Sequence, residues 1–469
     1  MVGITSFGAY IPYLRLSLAA ASGGKRTEGG PEKAVANYDE DALTLAVAAG
    51  IDCLRGIDRK TVDGVLFAST SYAFKEKQGA AIVAKALDLR RDVLTADVGD
   101  SLRAGTNALR AAMDSVKAGS AKSVLVVIGD TRMAAPRSAL EGNLGDAGVA
   151  FLIGDVDVAA SVTATHAVAD EIIDVWRTEG DPFVHSWEDR FVVDHGYRAN
   201  VREVVAGLLT KQGLAPKDFA KLVLFGPDKR SHGALARELK FDPTAQLQDA
   251  LFGRVGNCGA AFAPLQLAAA LEDAKAGDKL LLVNYGDGAD AFVIEVGSGI
   301  EKLRDRRAVR WYLKRRGEIP TYDMYLRFRQ LLATEHDRRA GAGLSATKHF
   351  RDRDYEVSLL AQKCRKCGQV QYPHQRVCFG CYAKDEFDHV RLSDQIGSLK
   401  SFTFDNFAGS PNPPLVATVT DILGARLYIQ MTDANPKEVK LDLPVELTFR
   451  KIHDAGGTPN YYWKCTPVR

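Results

Sequence analysis

The sequence predicts an α/β protein built on a duplicated helix–strand unit, followed by a small metal-binding ribbon and a β-barrel. Three observations predict it. Residues 94–127, LTADVGDSLRAGTNALRAAMDSVKAGSAKSVLVV, read as a tight turn, a helix and a buried strand. Leu102, Gly105, Leu109, Ala112, Met113 and Val116 fall at helical spacing, on an Ala-rich helix expected to be buried on most sides. Gly119 stops that helix, and the apolar run 123–128 is a buried strand. Second, the text returns: AAMDSVKAGSAKSVLVV at 111–127 is matched by AALEDAKAGDKLLLV at 269–283. Two similar halves about a pseudo-twofold axis follow. Third, Cys364, Cys367, Cys378 and Cys381 form two CxxC knuckles.

The remaining elements follow in order. Residues 2–16 predict a strand and a Pro-containing turn, and 23–31 a Gly-rich loop. Helical periodicity covers 39–54 and 78–89, with a strand at 64–70 between them. A Gly/Ala-rich turn at 142 leads into a strand at 147–153, and 159–165 continues the sheet. Residues 170–198, rich in Trp, Phe, His and charge, read as a cap over a pocket or a packed surface excursion. A helix at 200–212, a strand at 221–225 and a helix at 231–239 precede the second copy of the unit, which ends in strand, Gly-rich turn and strand at 283–295. The basic run 301–316 reads as a solvated helix face or, less simply, a phosphate contact. Gly341-Ala342-Gly343 suggests a linker. Five short alternating segments at 398–404, 415–422, 425–431, 445–450 and 461–467 fit a small OB-type barrel.

The domain plan is therefore an N-terminal region at 1–335, with halves at about 1–165 and 200–298 and a helical extension at 300–335. A linker at 336–350, a ribbon at 351–390 and a barrel at 391–469 follow.

Composition narrows the class. The 469 residues are 46% hydrophobic and 26% charged, with net charge +2, and support no nucleic-acid reading. No stretch approaches ~20 uninterrupted apolar residues, so no membrane span is expected. Residues 2–5 lack a secretory pattern, and Cys53, Cys258 and Cys465 have no evident partner; a reducing, cytoplasmic setting is expected. The four clustered thiolates complete a tetrahedral zinc site with no open position, so the metal is structural; a disulfide pair or redox motif is the alternative. Before each duplicated helix stands a similar turn, Val98-Gly99-Asp100 and Val255-Gly256-Asn257. Two helix N-termini would meet near the axis and suit an anionic oxygen. The plain alternative is an α/β repeat with no site between the halves.

The motifs VGITSFGAYIP at 2, YDEDALTLAVAAG at 38, TADVGDSLRAGTNAL at 95, GDAGVAFLIG at 145, VGNCGAAFAPLQLAAAL at 255 and YGDGADAF at 285 carry a resemblance. Residues 1–335 resemble the hydroxymethylglutaryl-CoA synthase branch of the thiolase superfamily. CRKCGQVQYPHQRVCFGC and VELTFRKIHDAGGTPNYYWKCTPV resemble the zinc-ribbon/OB-fold proteins that partner such thiolases. The resemblance implies a duplicated, five-layer αβαβα fold with a rubredoxin-like ribbon and OB barrel, a homodimer, and a coenzyme A thioester as substrate. It also exposes departures. The family's nucleophilic Cys falls at Leu102, beside Ser101; its general-base Glu at Thr70; its catalytic His at Phe225; only the Asn survives, as Asn257. Leu cannot form a thioester and Phe cannot move protons.

Three readings follow. The first is aldol or retro-aldol chemistry on a β-hydroxyacyl-CoA without an acyl-enzyme, similar to thiolase-like retro-aldolases of steroid side-chain degradation. The helix start at Leu102 and the Asn257 amide would hold an enolate oxygen. Tyr285 is the leading acid/base candidate, ahead of Asp228, His232 and Cys258, with Gly286 and Gly288 shaping the adjoining turn. Each also has a plain structural reading: packed aromatic, turn former, helix cap or buried small residue. The second reading is acyl transfer through Cys258, where a helix dipole would lower the thiol pKa. The third is a non-catalytic acyl-CoA-binding scaffold.

Overall fold

The computed structural model describes residues 1–25, 27–332, 345–407, 410–455 and 458–469. The chain divides into two compact units. The first comprises 1–36, 41–84 and 89–322; the second comprises 323–469 together with 37–40 and 85–88.

The first unit is organised by strands β1 (Gly3–Tyr10), β2 (Gly64–Ala68), β3 (Leu94–Val98), β4 (Val124–Asp130), β5 (Ala147–Gly154), β6 (Ala160–Ala169), β7 (Lys221–Leu224), β8 (Lys279–Tyr285) and β9 (Gly288–Val296). They form one sheet in the order β7-β8-β9-β6-β1-β5-β4-β2-β3. The expected duplication is visible in it. In the first half β2, β3 and β4 run parallel, while β5 is antiparallel to β4 and β1 to β5. In the second half β7 is parallel to β8, β9 is antiparallel to β8, and β6 to β9. The place of β3 is taken by a single parallel bridge, Leu222 to Leu247. The half-sheets join where Gly3 and Ile4 of β1 pair with Ser161 and Ala160 of β6.

Helices repeat in step: α1 (Ala42–Cys53) and α2 (Ala104–Lys117) in the first half, α3 (Ala199–Gln212) and α4 (Phe262–Asp273) in the second. A capping box starts α1, with Asp41 accepting from the Thr44 amide and Thr44 Oγ1 from the Asp41 amide. Helix α4 is buried from Phe262 to Leu271. Helix α2 is buried on most sides, and Asn107, Ala111 and Asp114 leave one face in solvent. Gly105 on α2 faces the Ala260 carbonyl; a Cβ there would sit 2.6 Å from that oxygen, so only glycine allows the two duplicated units this approach.

Three local expectations change. Residues 94–98 form an edge strand rather than part of the turn, because the segment pairs in parallel with β2. The cap region 170–198 contains a two-residue hairpin, Val175–Trp176 with His185–Ser186, and then a π-helical stretch, Val192–Arg198, running into α3. The basic run beyond 300 is partly employed: Arg306 donates to the carbonyls of Asp52 and Cys53, and Arg304 to those of Glu272 and Ala274, closing the C-terminal ends of α1 and α4.

In the second unit, residues 333–344, including the Gly341-Ala342-Gly343 motif, lie outside the described residues. The segment read as the end of a linker and the start of the ribbon is a helix, Ala346–Glu356, capped by Ser345. The ribbon strands Leu360–Cys364, Val370–Gln371 and Phe387–Arg391 form a three-stranded sheet. The five expected barrel strands are all present, as Gly397–Asp405, Leu415–Ile422, Ala425–Met431, Pro444–Ala455 and Thr458–Pro467, and they close. Trp463 and Phe449 fill the barrel with ring centroids 5.3 Å apart. Beside them lies a buried ion cluster. Arg450 meets Asp39 (3.3 Å), Glu40 (2.5 Å) and Asp433 (2.8 Å), and Lys464 meets Asp39 (2.8 Å). None of these side chains is more than 1% exposed.

Breaking one partner of such a cluster strands a buried charge at a cost of about 3–5 kcal/mol. Asp39→Ala is expected to destabilise the second unit by that order in urea unfolding. Adding Lys464→Met is expected to restore part of the loss, because the orphaned ammonium goes with it.

Candidate active site

The turn before α2 is held from the other half of the first unit. Ser101 and Leu102 precede the helix proper, which begins at Ala104. The Leu102 carbonyl accepts from Asn284 Nδ2 (3.2 Å). Arg103 donates to the carbonyls of Val168 (3.2 Å), Asp287 (2.7 Å) and Gly286, and pairs with Asp290 (3.2 Å). Thr106 Oγ1 also donates to Asp290 (2.9 Å). The start of α2 is thus pinned to the β8–β9 hairpin of the other half.

Beside this turn lies a cleft of about 1220 Å³. Its walls are residues 69–78, the turn 97–102, the strap 174–181 with Val184, Arg132, and the tip Gly286-Asp287. Residues 170–198 therefore do contribute a wall to a pocket. Of the residues singled out from the sequence, Thr70, Ser101, Leu102 and Gly286 line the cleft; Phe225, Gly288, Asn257, Cys258, Asp228 and His232 do not. Among the described lining residues there is no cysteine and no histidine.

The floor is set by Asp130, at the end of β4 and fully buried. Its carboxylate accepts from Ser69 Oγ (2.9 Å), the Thr70 amide (2.8 Å), Thr70 Oγ1 (2.9 Å), Ser71 Oγ (2.7 Å) and the Ala260 amide (2.8 Å). Gly259, at φ +60°, makes room for it: a Cβ there would lie 2.3 Å from Asp130 Oδ2 and 2.6 Å from Arg132 Cδ.

The candidate proton carriers separate. Tyr285 is buried, and its hydroxyl donates to Asp174 Oδ2 at 2.5 Å. Its ring packs against Tyr197 and Phe225. Burial, then the neighbouring carboxylates, raise the phenol pKa; burial also raises that of Asp174. Asp174, which the sequence did not single out, is the member of this pair that lines the cleft. Phe225 lies in an aromatic cluster with Tyr197, Phe262 and Tyr285.

The other candidates are differently employed. Asp228 caps the helix Lys229–Glu238, accepting from the Arg230 and Ser231 amides, which is the turn-former role. His232 is buried with its pKa pushed down to about 4 by desolvation, so it is neutral, and Nε2 has no partner among the described residues. The Asn257 amide donates to the Gly226 carbonyl (3.1 Å) and accepts from the Gly259 amide (3.0 Å), which shapes the second turn. Cys258 reverses its expectation: burial pushes the thiol well above its ordinary pKa, outweighing any lowering by the adjacent helix start.

In the second unit the four cysteine sulfurs lie within 4.8 Å of one another, with Cys364–Cys381 and Cys367–Cys378 each at 3.6 Å. Tetrahedral zinc with Zn–S of about 2.3 Å needs S···S separations of about 3.8 Å. The cluster fits.

Comparison with known proteins places both units in known families. Residues 354–388 match the family described as ChsH2, rubredoxin-like zinc ribbon domain, and 209–295 match 3-oxoacyl-[acyl-carrier-protein] synthase III C terminal. Hydroxymethylglutaryl-CoA synthase of Methanocaldococcus jannaschii is 33% identical over 342 residues, covering 70% of this chain and 99% of that protein. The chain belongs to the hydroxymethylglutaryl-CoA synthase family. A crystal structure of HMG-CoA synthase complexed with CoA superposes with TM-score 0.62 and 21% identity, covering 73% of this chain and 94% of that one. The 3-oxoacyl-[acyl-carrier-protein] synthase III of Aquifex aeolicus VF5 gives TM-score 0.57 and 20% identity, over 63% of this chain and all of that one. The N-terminal fold is thiolase-like, and the ribbon supplies a structural zinc site. Among the described residues no helix is long and apolar enough to cross a membrane.

Two outcomes follow. Gly259→Ala introduces both a left-handed alanine and a clash beneath the cleft, and is expected to cost about 2–4 kcal/mol in thermal or urea unfolding. Cys378→Ser is expected to lower the zinc content measured by elemental analysis and to make the ribbon sensitive to proteolysis, with the N-terminal unit's melting unchanged.

Proposed function

We propose that this family member makes or breaks a carbon–carbon bond in a coenzyme A thioester without an acyl-enzyme, through aldol or retro-aldol chemistry on a β-hydroxyacyl-CoA. The observation that carries the reading is the cleft at Leu102, whose lining offers a buried carboxylate, Asp174, but no thiol and no imidazole. The fold it shares with a synthase solved with CoA supports the thioester.

In the cleavage direction the β-hydroxyl gives its proton to ionised Asp174. The Cα–Cβ bond breaks, its electron pair passes into the thioester as an enolate, and the former β-carbon leaves as a carbonyl. Asp174 then returns the proton to Cα. A carboxylate whose pKa is raised by burial is a stronger base than an exposed one. Tyr285 acts as a positioning residue, holding Asp174 through its hydroxyl and favouring the ionised form.

The homodimer belongs to the same reading. Strand β3 ends the sheet with one backbone edge unpaired among the described strands, where a second copy can add its own. The relatives' names favour a second reading, acyl transfer; it needs a nucleophile other than Leu102, and Cys258 would have to be uncovered to serve.

The test offers a panel of β-hydroxyacyl-CoAs and 3-ketoacyl-CoAs, with mass detection of released thioester and carbonyl. Asp174→Asn is expected to lower kcat by about 10²–10⁴-fold. Tyr285→Phe removes a hydrogen bond that lowers the Asp174 pKa, so the acidic limb of its pH–rate profile is expected to move to higher pH. A covalent acyl-protein adduct in the intact mass would support acyl transfer instead. Tight binding with no turnover of any thioester would make the protein a scaffold.

A further inference from the structure

The chemistry above leaves one buried charge of the cleft unused. Arg132 lies just past the end of β4, is 7% exposed and lines the cleft. It makes no hydrogen bond and no ion pair among the described residues. Asp130 lies within electrostatic reach, but its two oxygens already hold five neutral donors. Arg177, the other arginine of the lining, is spent on the Thr70 carbonyl at 2.7 Å. None of the Arg132 nitrogens is among the described buried polar atoms that lack a partner, so the guanidinium tip opens into the cleft. Asp174 lines the same cleft, and its charge acts on Arg132. Its two oxygens accept from the Val175 amide and the Tyr285 hydroxyl, each at 2.5 Å, which leaves each oxygen a second lone pair. The carboxylate and the guanidinium nevertheless form no ion pair, so more than 4 Å separates them among groups that share one cleft.

A guanidinium only donates hydrogen bonds and an ionised carboxylate only accepts them, whereas a hydroxyl does both. One hydroxyl between the two satisfies the pair, accepting from Arg132 and donating to Asp174. We propose that Arg132 is a further catalytic residue, holding the β-oxygen of the substrate opposite Asp174. The inference rests on the aldol reading and adds to it the group that bears the charge of the β-oxygen. In the cleavage direction the hydroxyl proton passes to Asp174 while the guanidinium, which keeps all its protons, stabilises the alkoxide left behind. A lone pair of that oxygen becomes the π bond of the leaving carbonyl, and the Cα–Cβ pair passes into the thioester. In the condensation direction the same contact polarises the incoming carbonyl and takes up the charge as the new bond forms. A fixed donor in a dry site is worth more to such a charge than one in water. Position favours the β-oxygen over the thioester oxygen. The charges that act on Arg132 are those of Asp130, Arg177, Asp174 and Cys258, none of them in the turn 97–102 before α2. An uncompensated buried guanidinium is costly in the empty cleft, and the substrate oxygen that develops charge relieves that cost where it matters for rate.

The experiment has two arms on the full chain. In the first, phenylglyoxal modification of Arg132 in the wild-type protein is mapped by peptide mass in the presence of 3-hydroxybutyryl-CoA or of butyryl-CoA, which differ only in the β-hydroxyl. The hydroxylated thioester is expected to protect Arg132 at concentrations at least tenfold lower. Equal protection by the two places Arg132 on the thioester oxygen or the coenzyme and overturns the proposal, even where every variant fails to fold. In the second arm, cleavage of 3-hydroxybutyryl-CoA is followed in wild type, Arg132→Gln, Arg132→Lys and Arg132→Ala. Arg132→Gln is expected to lose about 10²–10³-fold in kcat with KM changed less than tenfold, and Arg132→Lys to lose less. Added guanidinium ion at millimolar concentration is expected to restore part of kcat in Arg132→Ala and none in Arg132→Gln, where the amide fills the space; a merely structural arginine would not be rescued in this way. A folded Arg132→Gln with unchanged kcat, or with the whole loss in KM, overturns the catalytic role. If wild type cleaves no thioester, the aldol reading fails by itself; protection that depends on the hydroxyl then sustains the Arg132 contact, and protection that does not depend on it overturns that as well.

Discussion

The cleft of this protein depends on one buried carboxylate. Asp130 ends a central strand of the first half, and its five hydrogen bonds gather Ser69, Thr70 and Ser71 from the neighbouring strand end and the Ala260 amide from the start of the second buried helix. Among the described residues no cation pairs with it; the charge is dispersed over neutral donors, as in an anion-binding nest turned inward. Removing it would orphan five donors at the junction of the duplicated halves. The arrangement also explains Gly259, since any side chain there would occupy the space of the carboxylate, and it explains why Arg132, one residue beyond Thr131, finds its natural counter-ion already taken.

How much of this was legible in the sequence follows from the range of the interactions. The duplication could be read because each copy is a continuous segment whose periodicity and glycine stop are local. The barrel could be read because its strands alternate over seven to twelve residues, and the zinc site because each knuckle fixes two ligands three positions apart. Asp130, Arg132 and Asp174 carried no such signal. They are single residues with unremarkable neighbours, brought together only when 69–71, 130–132, 174 and 259–260 converge in space. The Gly-Asp at the end of β4 was the nearest hint. Edge strand β3 escaped because it is half exposed and its sequence, LTADV, has no apolar run. Asp228 illustrates the opposite error: a carboxylate near a strand end looks chemical, but a helix beginning at the next residue claims it as a cap.

The second unit obeys a different logic. Its barrel is small: Trp463, Phe449 and a few aliphatic residues take one face of the last two strands, and a buried polar cluster takes the other. Arg450 and Lys464 stand on adjacent strands and take up Asp39 and Glu40 from a four-residue piece of distant sequence, together with Asp433. Apolar residues could fill that volume as stably, but they would not select one partner segment; a five-member charge cluster is satisfied in one register only. The acidic residues of YDED thus do structural work, although their sequence invites a functional reading.

In the proposed reading Leu102 stands where the family carries its nucleophile, and more than one atom changes. A thiol at a helix tip concentrates chemistry on a rigid element of the core. Here the tip is held just as firmly, by Asn284 and Arg103, yet presents an alkyl group. The polar groups near it come instead from the strap, whose Asp174 is tied back to the core by a single hydrogen bond from Tyr285. In the proposed reading the reacting geometry depends on how that strap is seated, and its seating rests on the aromatic cluster of Tyr197, Phe225 and Tyr285. Phe225 buttresses Tyr285, the tyrosine that holds the Asp174 carboxylate in place.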